Sequence, residues 1–512
     1  MRFLYFFLLS GSGFFLPGLN AAAQVDVRHY GFHLTLHDST NRIDGWADIT
    51  VASVSAGRFH LDLAPSMRVS RLTDNGRTIG FARDTSGLTI RVSAGRHHTY
   101  RVVYSGVPAD GLIIRVNKFG QRTFFGDNWP DRAHQWLPCV DRPGDKAPVD
   151  FYVTAPGQYQ VVAPGRKLAD ALLSGHRRLT HWQEKVPIPT KVMVIGVAQF
   201  AISAPVYVEG IPVFTYVFPE NQGPGFRDYA VATRILPWFI HRLGFYAYEK
   251  LANVQSKTIF GGMENASAIF YFENSVGTGR AMESLMAHEI AHQWFGDEVT
   301  ETDYRHLWLS EGFATYMEHC YRESRYGADT LRADLTHDRR TVLAFVRRHP
   351  DVPVVDTGLK GGYMRLLNAN SYQKGGWVLH MLRRQLGDSL FWTAIQRYYA
   401  RYAGRNASTD SLRLVLESVS GQDLRPFFTQ WLYTPGVPQI RVTRASPTQV
   451  RLEQSQDPLF RFPLEYTVNG RLSVVRVTGR TTLVDVPEGA VVRWDPDVNL
   501  LADIEVETKV NP

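Results

Sequence analysis

Residues 283–296 read ESLMAHEIAHQWFG. His288 and His292 stand four apart. A helix through them would place both imidazoles on one face, about 6 Å apart along its axis. Two imidazoles held that way can grip one metal ion. Glu289 follows His288 directly, and its carboxylate could take a proton from a water in the same cleft. A His-Glu-x-x-His string on a helix has the chemistry of a zinc hydrolase behind it. Leu285, Met286, Ile290, Ala291 and Phe295 give the segment a coherent apolar face, and Gly296 reads as its stop.

Zinc in a catalytic site takes three protein ligands and leaves a fourth position open. The stretch HLWLSEGFATYMEHCY, residues 306–321, offers the third in Glu311, an acid set among apolar and aromatic neighbours. A buried carboxylate without a partner is costly, and a metal would relieve that cost. Glu311 lies 19 positions after His292. That leaves room for the first helix to end and a second to run back past it. Those neighbours suit a solvated surface charge less well. Glu318, seven residues further on, falls on the same helical face and is expected to support a metal-bound histidine, with a surface carboxylate as the alternative.

Two further stretches hold isolated polar groups. GGMENASAIFYFENSV, residues 261–276, places Glu264 after a glycine pair and ahead of a strand-like run. NSYQKGGWVLHMLRRQLG, residues 370–387, opens with Tyr372 and continues at helical spacing through Val378, Leu379 and Leu382.

These residues need elements to hold them. From Val25 to about Val213 the pattern is short and alternating, as in HYGFHLTLH (29–37), ADITVASV (47–54), GRFHLDLA (57–64), LTIRVS (88–93) and TYRVVYSG (99–106). This predicts an antiparallel β domain over residues 24–213. VMVIGVA (192–198) reads as one more buried strand. Helical spacing begins with Tyr229, Thr233, Leu236, Ile240 and Leu243 and dominates a second domain, residues 214–435. Alternation returns over residues 436–512, where Asn469-Gly470 marks a two-residue hairpin turn. The class is multidomain α+β.

The 512 residues exceed what a single core sustains. A net charge of +7 without a Lys/Arg run suits a scattered solvated surface rather than nucleic-acid binding. Residues 1–23 carry Arg2, an apolar stretch and then Ala21-Ala22-Ala23, a pattern that predicts a signal peptide cleaved before Gln24 and a periplasmic or secreted protein. No later segment approaches a membrane span, so none is expected in the mature chain. With two cysteines, Cys139 and Cys320, a disulfide scaffold is excluded, and two buried free thiols are expected, with one bridge as the alternative.

In combination, His288-Glu289-x-x-His292, 18 intervening residues and Glu311 resemble the gluzincin metallopeptidases of the aminopeptidase N family, which includes the leukotriene-epoxide hydrolases. Gly261-Gly262-Met263-Glu264-Asn265 is similar to that family's Gly-x-Met-Glu-Asn exopeptidase motif. Pro138-Cys139-Val140-Asp141-Arg142-Pro143 is similar to its PCxDxP-type segment. The resemblance runs from the first β domain to the end of the chain. It implies an N-terminal β domain, a thermolysin-like helix-rich catalytic domain and a small C-terminal β-sandwich-like domain. This would be a short form, lacking the large C-terminal helical domain that many members carry, with a more open cleft.

The resemblance also implies one Zn²⁺ per chain held by His288, His292 and Glu311, Glu289 as general base, and Tyr372 as donor to the oxyanion. Gly261, Gly262, Met263, Glu264 and Asn265 would form an edge strand along the substrate's path, with Glu264 holding the free α-amine. The implied activity is removal of N-terminal residues from peptides. The alternatives are a bifunctional epoxide hydrolase and an inactive peptide-binding scaffold. The intact residue set argues against the scaffold, and nothing in the sequence favours epoxide chemistry. Asn265-Ala266-Ser267 also fits a glycosylation sequon, but a glycan there would block the cleft. The preferred side chain and the oligomeric state stay open at this stage.

Two positions depart from the family pattern. Ser310 stands where Asn is usual before the zinc-binding glutamate. Trp129 stands nine residues before Pro138, where relatives often place a Glu or Gln that helps bind the substrate amine. Asp127 or Asp131 are the candidates to compensate.

Overall fold

The alternation in Ile43–Ser53 and His97–Gly106 buries one face of each strand, and the fold is built outward from that pattern. The computed structural model describes residue 22, residues 24–95 and residues 97–507. Apart from Ala22, the expected leader lies outside the described residues.

An eight-stranded sheet runs in the order Arg166–Leu173, Arg177–Pro189, Lys146–Pro156, Val25–Thr35, Ile43–Ser53, His97–Gly106, Met67–Asp74 and Arg77–Thr78. Its pairs are antiparallel except one. Val25–Thr35 lies parallel to Lys146–Pro156, from Tyr30 opposite Val149 to Thr35 opposite Thr154. The expectation of a purely antiparallel sheet fails there because a long excursion separates the two strands. A hairpin forces antiparallel pairing, whereas a long connection permits either direction.

VMVIGVA is wholly buried, but only Gly196–Ala198 is strand and Thr190–Val192 is a 3₁₀ turn. Here the Asn128 amide donates to the carbonyls of Thr190 and Met193, at 3.0 and 2.8 Å, and satisfies acceptors that a ladder would otherwise use.

The sheet that carries the site orders Ala201–Ile202, Ile211–Val217, Leu251–Ser256, Ala268–Phe272 and Gly262–Met263. Ile211–Val217, Leu251–Ser256 and Ala268–Phe272 are parallel, and Gly262–Met263 is an antiparallel edge. The periodic run from Tyr229 is two helices, Gln222–Tyr229 and Ala232–Leu243. The helices Arg280–His292, Trp308–Tyr326 and Gly375–Leu386 follow. The last two cross at two glycines. A Cβ on Gly312 would fall 2.8 Å from the Gly375 Cα, and one on Gly375 would fall 2.9 Å from the Gly312 Cα. Only hydrogen fits at that contact.

The C-terminal strands form a four-stranded and a three-stranded sheet. Asn469 and Gly470 both take positive φ, 49° and 84°, as a type I′ hairpin requires. His380 bridges this part to the helices. Its Nδ1 lies 3.1 Å from the Tyr316 hydroxyl and its Nε2 lies 3.1 Å from Asn499 Oδ1. On the N-terminal side, the buried Lys191 ammonium donates to Glu301 at 2.6 Å. Cys139 and Cys320 are buried and free. Among the described residues, no helix is long and apolar enough to cross a membrane.

Candidate active site and metal centre

Helix Arg280–His292 ends at His292 rather than running on to Gly296. The amides of Asp297 and Val299 turn back to the carbonyls of His292 and Trp294, so the chain leaves the helix before the expected stop. His288, Glu289 and His292 occupy its last turns. Glu311 stands near the start of Trp308–Tyr326, which packs against that helix. Tyr372 sits in a π-helical turn, Asn370–Lys374, that leads into Gly375–Leu386. Single π turns of this kind recur at functional sites.

Three candidate ligand atoms converge. His288 Nε2 lies 3.2 Å from His292 Nε2, and Glu311 Oε2 lies 3.6 and 3.3 Å from these nitrogens. Metal–ligand bonds of about 2.0–2.1 Å in tetrahedral array set ligand–ligand edges of about 3.3 Å, so the triangle fits zinc. The other nitrogen of each imidazole also has an acceptor at hand. His292 Nδ1 faces the Phe295 carbonyl and Ser310 Oγ, each at 3.1 Å, and His288 Nδ1 faces Glu318 at 3.7 Å. Protons on the Nδ1 atoms leave both Nε2 lone pairs free for a metal. Ser310 thus supports the candidate ligand His292, and Glu318 stands beside the candidate ligand His288.

Electrostatics follow from burial. Glu311 resists the pull of burial because His292 and His288 hold its carboxyl below the ordinary range. Burial pushes the Glu289 carboxyl up to about 7, against the opposing pull of His288 and His292. Burial, aided by Glu311, Glu264 and Glu289, drives the Tyr372 phenol well above its ordinary value, so it keeps its proton to donate.

Glu264 is buried, and its Oε1 has no hydrogen-bond partner among the described residues. Its carboxylate, that of Glu289 and a His292 nitrogen lie within 4.8 Å of one another. A cleft of about 340 Å³ brings together the sequence candidates Gly261, Gly262, Met263, Glu264, His288, Glu289, His292, Glu311 and Tyr372. Asn265 is wholly buried and is not among the lining residues. Trp129 lines the cleft, as its place in the family pattern implies, and Phe260, Leu285 and Leu367 complete an apolar wall that the motifs do not reveal. Asp127 is no substitute for an amine anchor. Its carboxylate is taken by Arg132 at 2.8 Å, the Ile259 amide at 3.0 Å and the Thr258 hydroxyl at 3.2 Å. It holds the loop leading into Gly261 instead.

Residues 228–431 match the family model "Peptidase family M1 domain", and residues 118–192 match "Peptidase M1 N-terminal domain". The chain belongs to the M1 peptidase family. Both helices that carry the candidate metal ligands of this M1 chain lie within the first match. Aminopeptidase M1-D of Oryza sativa subsp. japonica is 30% identical over 345 residues, covering 63% of this chain and 38% of that protein. Aminopeptidase M1-C of the same plant is 28% identical over 365 residues, covering 68% and 40%. Glutamyl aminopeptidase of Bitis rhinoceros is 26% identical over 352 residues, covering 65% and 36%. The M1 chain therefore spans 36 to 40% of the length of these relatives.

Proposed function

We propose that this M1 chain is a zinc aminopeptidase that removes N-terminal residues from peptides. The observation that carries the reading is the buried Glu264 carboxylate, whose Oε1 lacks a hydrogen-bond partner among the described residues, in one cleft with the His288–His292–Glu311 triangle. A buried carboxylate oxygen with no partner invites a cation, and a substrate's α-ammonium is the cation this cleft would meet. The relatives' names as aminopeptidases support the same reading.

His288, His292 and Glu311 would hold the metal, which when bound polarises a carbonyl and lowers the pKa of water. Glu264 would take the α-ammonium and so set which peptide bond lies over the triangle. Glu289 would accept a proton from the attacking water at its carboxylate and return it to the leaving amine. The Tyr372 hydroxyl would donate to the developing oxyanion. The edge strand Gly262–Met263 leaves its outer backbone free to pair with an extended substrate. Export rests on the apolar N-terminal stretch and would be checked by N-terminal sequencing of secreted protein.

The test is hydrolysis of aminoacyl p-nitroanilides with free and with acetylated N-termini, beside a chelator control and Glu289→Gln. Turnover of the free-amine set alone, abolished by chelator and by the variant, is expected. Equal turnover of acetylated substrates would remove the amine-binding role of Glu264.

A further inference from the structure

Gln293 is the residue that caps helix Arg280–His292, next to the ligand His292, and only 1% of it is exposed. Its side-chain amide is used at both ends. Nε2 donates to the Glu264 backbone carbonyl at 2.7 Å and to Asp297 Oδ2 at 2.9 Å. Oε1 accepts from the Ser267 backbone N–H at 2.7 Å, with the Tyr246 hydroxyl at 3.5 Å. The edge strand stops at Met263. Just beyond it, a side chain takes over where ladder hydrogen bonds would otherwise hold the chain.

The segment that Gln293 grips is held in an unfavourable shape. Ser267 has φ +58°, a left-handed conformation that is strained for a residue with a Cβ. Its Oγ accepts from the Gly165 amide at 2.8 Å and from Lys250 Nζ at 3.0 Å, which ties it to the strands on the other side. On the helix side, Gln293 makes the only hydrogen bonds from residues 264–267 to residues 282–297 among the described residues. The facing carboxylates of Glu264 and Glu289 add no attraction of their own. Gln293 is thus the hydrogen-bonded tie between the Glu264 segment and the helix end, beside the packing of Gly262 against Glu289 and the attraction of His292 for Glu264.

We propose that Gln293 is a positioning residue for N-terminal recognition. It sets the distance between the Glu264 carboxylate and the helix end that carries Glu289 and His292. Gln293 does not line the cleft, so it acts through the Glu264 backbone. The inference rests on the aminopeptidase reading above. A core amide with no positioning role would instead lower stability and reduce all activities together.

The experiment compares wild type with Gln293→Met, which keeps length but removes every hydrogen bond. Gln293→Glu is the second variant. It keeps an acceptor for the Ser267 N–H and loses the donor to the Glu264 carbonyl. The readouts are bound zinc per chain, far-UV circular dichroism, inhibition by 3-methylbutylamine as a probe of the amine site, and kcat and KM on a free-amine p-nitroanilide. Expected for either folded variant are unchanged zinc and circular dichroism, an inhibition constant raised about tenfold or more, and kcat/KM lowered about 10²-fold. An unchanged inhibition constant, a loss of bound zinc, or failure of both variants to fold would overturn the positioning role. Equal wild-type cleavage of free and acetylated amides would overturn the aminopeptidase reading itself, a result that no variant of Gln293 can produce.

Discussion

The Glu289 carboxylate fills the space that a side chain on residue 262 would need. A Cβ built on Gly262 would lie 2.2 Å from Glu289 Oε1 and 2.4 Å from its Cδ. The glycine of the edge strand and the acid of the helix are therefore one packing unit.

Gly262→Ala should displace the Glu289 carboxylate while leaving the core intact. General-base groups contribute about 10²- to 10⁴-fold, so kcat should fall by about 10²-fold. Steady-state kinetics beside a thermal melt will check this. A variant with wild-type kcat would show that Glu289 can move aside without loss.

Ser310→Ala removes one of the two acceptors at His292 Nδ1 and leaves the Phe295 carbonyl. Loss of such a support weakens metal binding by about 10- to 100-fold, and the retained carbonyl places this variant near the lower figure. Competition for zinc against a chromophoric chelator measures it directly. Equal affinities would mean that the carbonyl alone orients the ring.

Lys191→Met leaves Glu301 buried and unpaired, and breaking a buried pair from one side costs about 3–5 kcal/mol. Adding Glu301→Leu should recover most of that loss, since both charges are then gone. Urea denaturation of the single and double variants distinguishes the cases. A double variant no more stable than the single would show that another group shares the pair.

Burial lowers the His380 imidazole from its ordinary 6.5 to about 3, with its bond to Asn499 opposing. The unfolded chain binds the proton more readily between those values. The stability from neutral His380 is therefore present above pH 6.5 and lost as pH falls toward 3, at up to about 1.4 kcal/mol per pH unit. Melting temperatures of wild type and His380→Gln from pH 7 to 4 should show a shallower decline in the variant. Parallel declines would assign the acid sensitivity to other groups.

What was legible in the sequence was local. His288, Glu289 and His292 share one helix turn, and Glu311 and Glu318 lie two turns apart on one face of another helix, so spacing alone places them. Tyr372 and Glu264 were found through motifs, but the π turn under Tyr372 has no sequence signature. Alternation marked Val25–Thr35 as a strand without naming its partner, and the parallel pairing with Lys146–Pro156 was missed. The apolar run 192–198 reads as strand because hydrophobicity reports burial and not the ladder; the Asn128 amide that diverts it lies far away in the chain. Ser310, Gln293 and Asp127 act through contacts across the fold. Their types alone are ordinary, and nothing local in the sequence shows that the Asp127 carboxylate is taken by three partners.

The contact of Gly312 with Gly375 also bears on how such a chain can change over time. Glu311 adjoins the first glycine, and the turn bearing Tyr372 runs straight into the second. Neither position has a smaller residue to fall back on, so an enlargement at one cannot be absorbed by a reduction at the other. Compensating pairs, the usual route by which packed helices drift apart in sequence, are closed here. Glu311 and Tyr372 are held to a crossing that tolerates no intermediate steps, and divergence must take place around it.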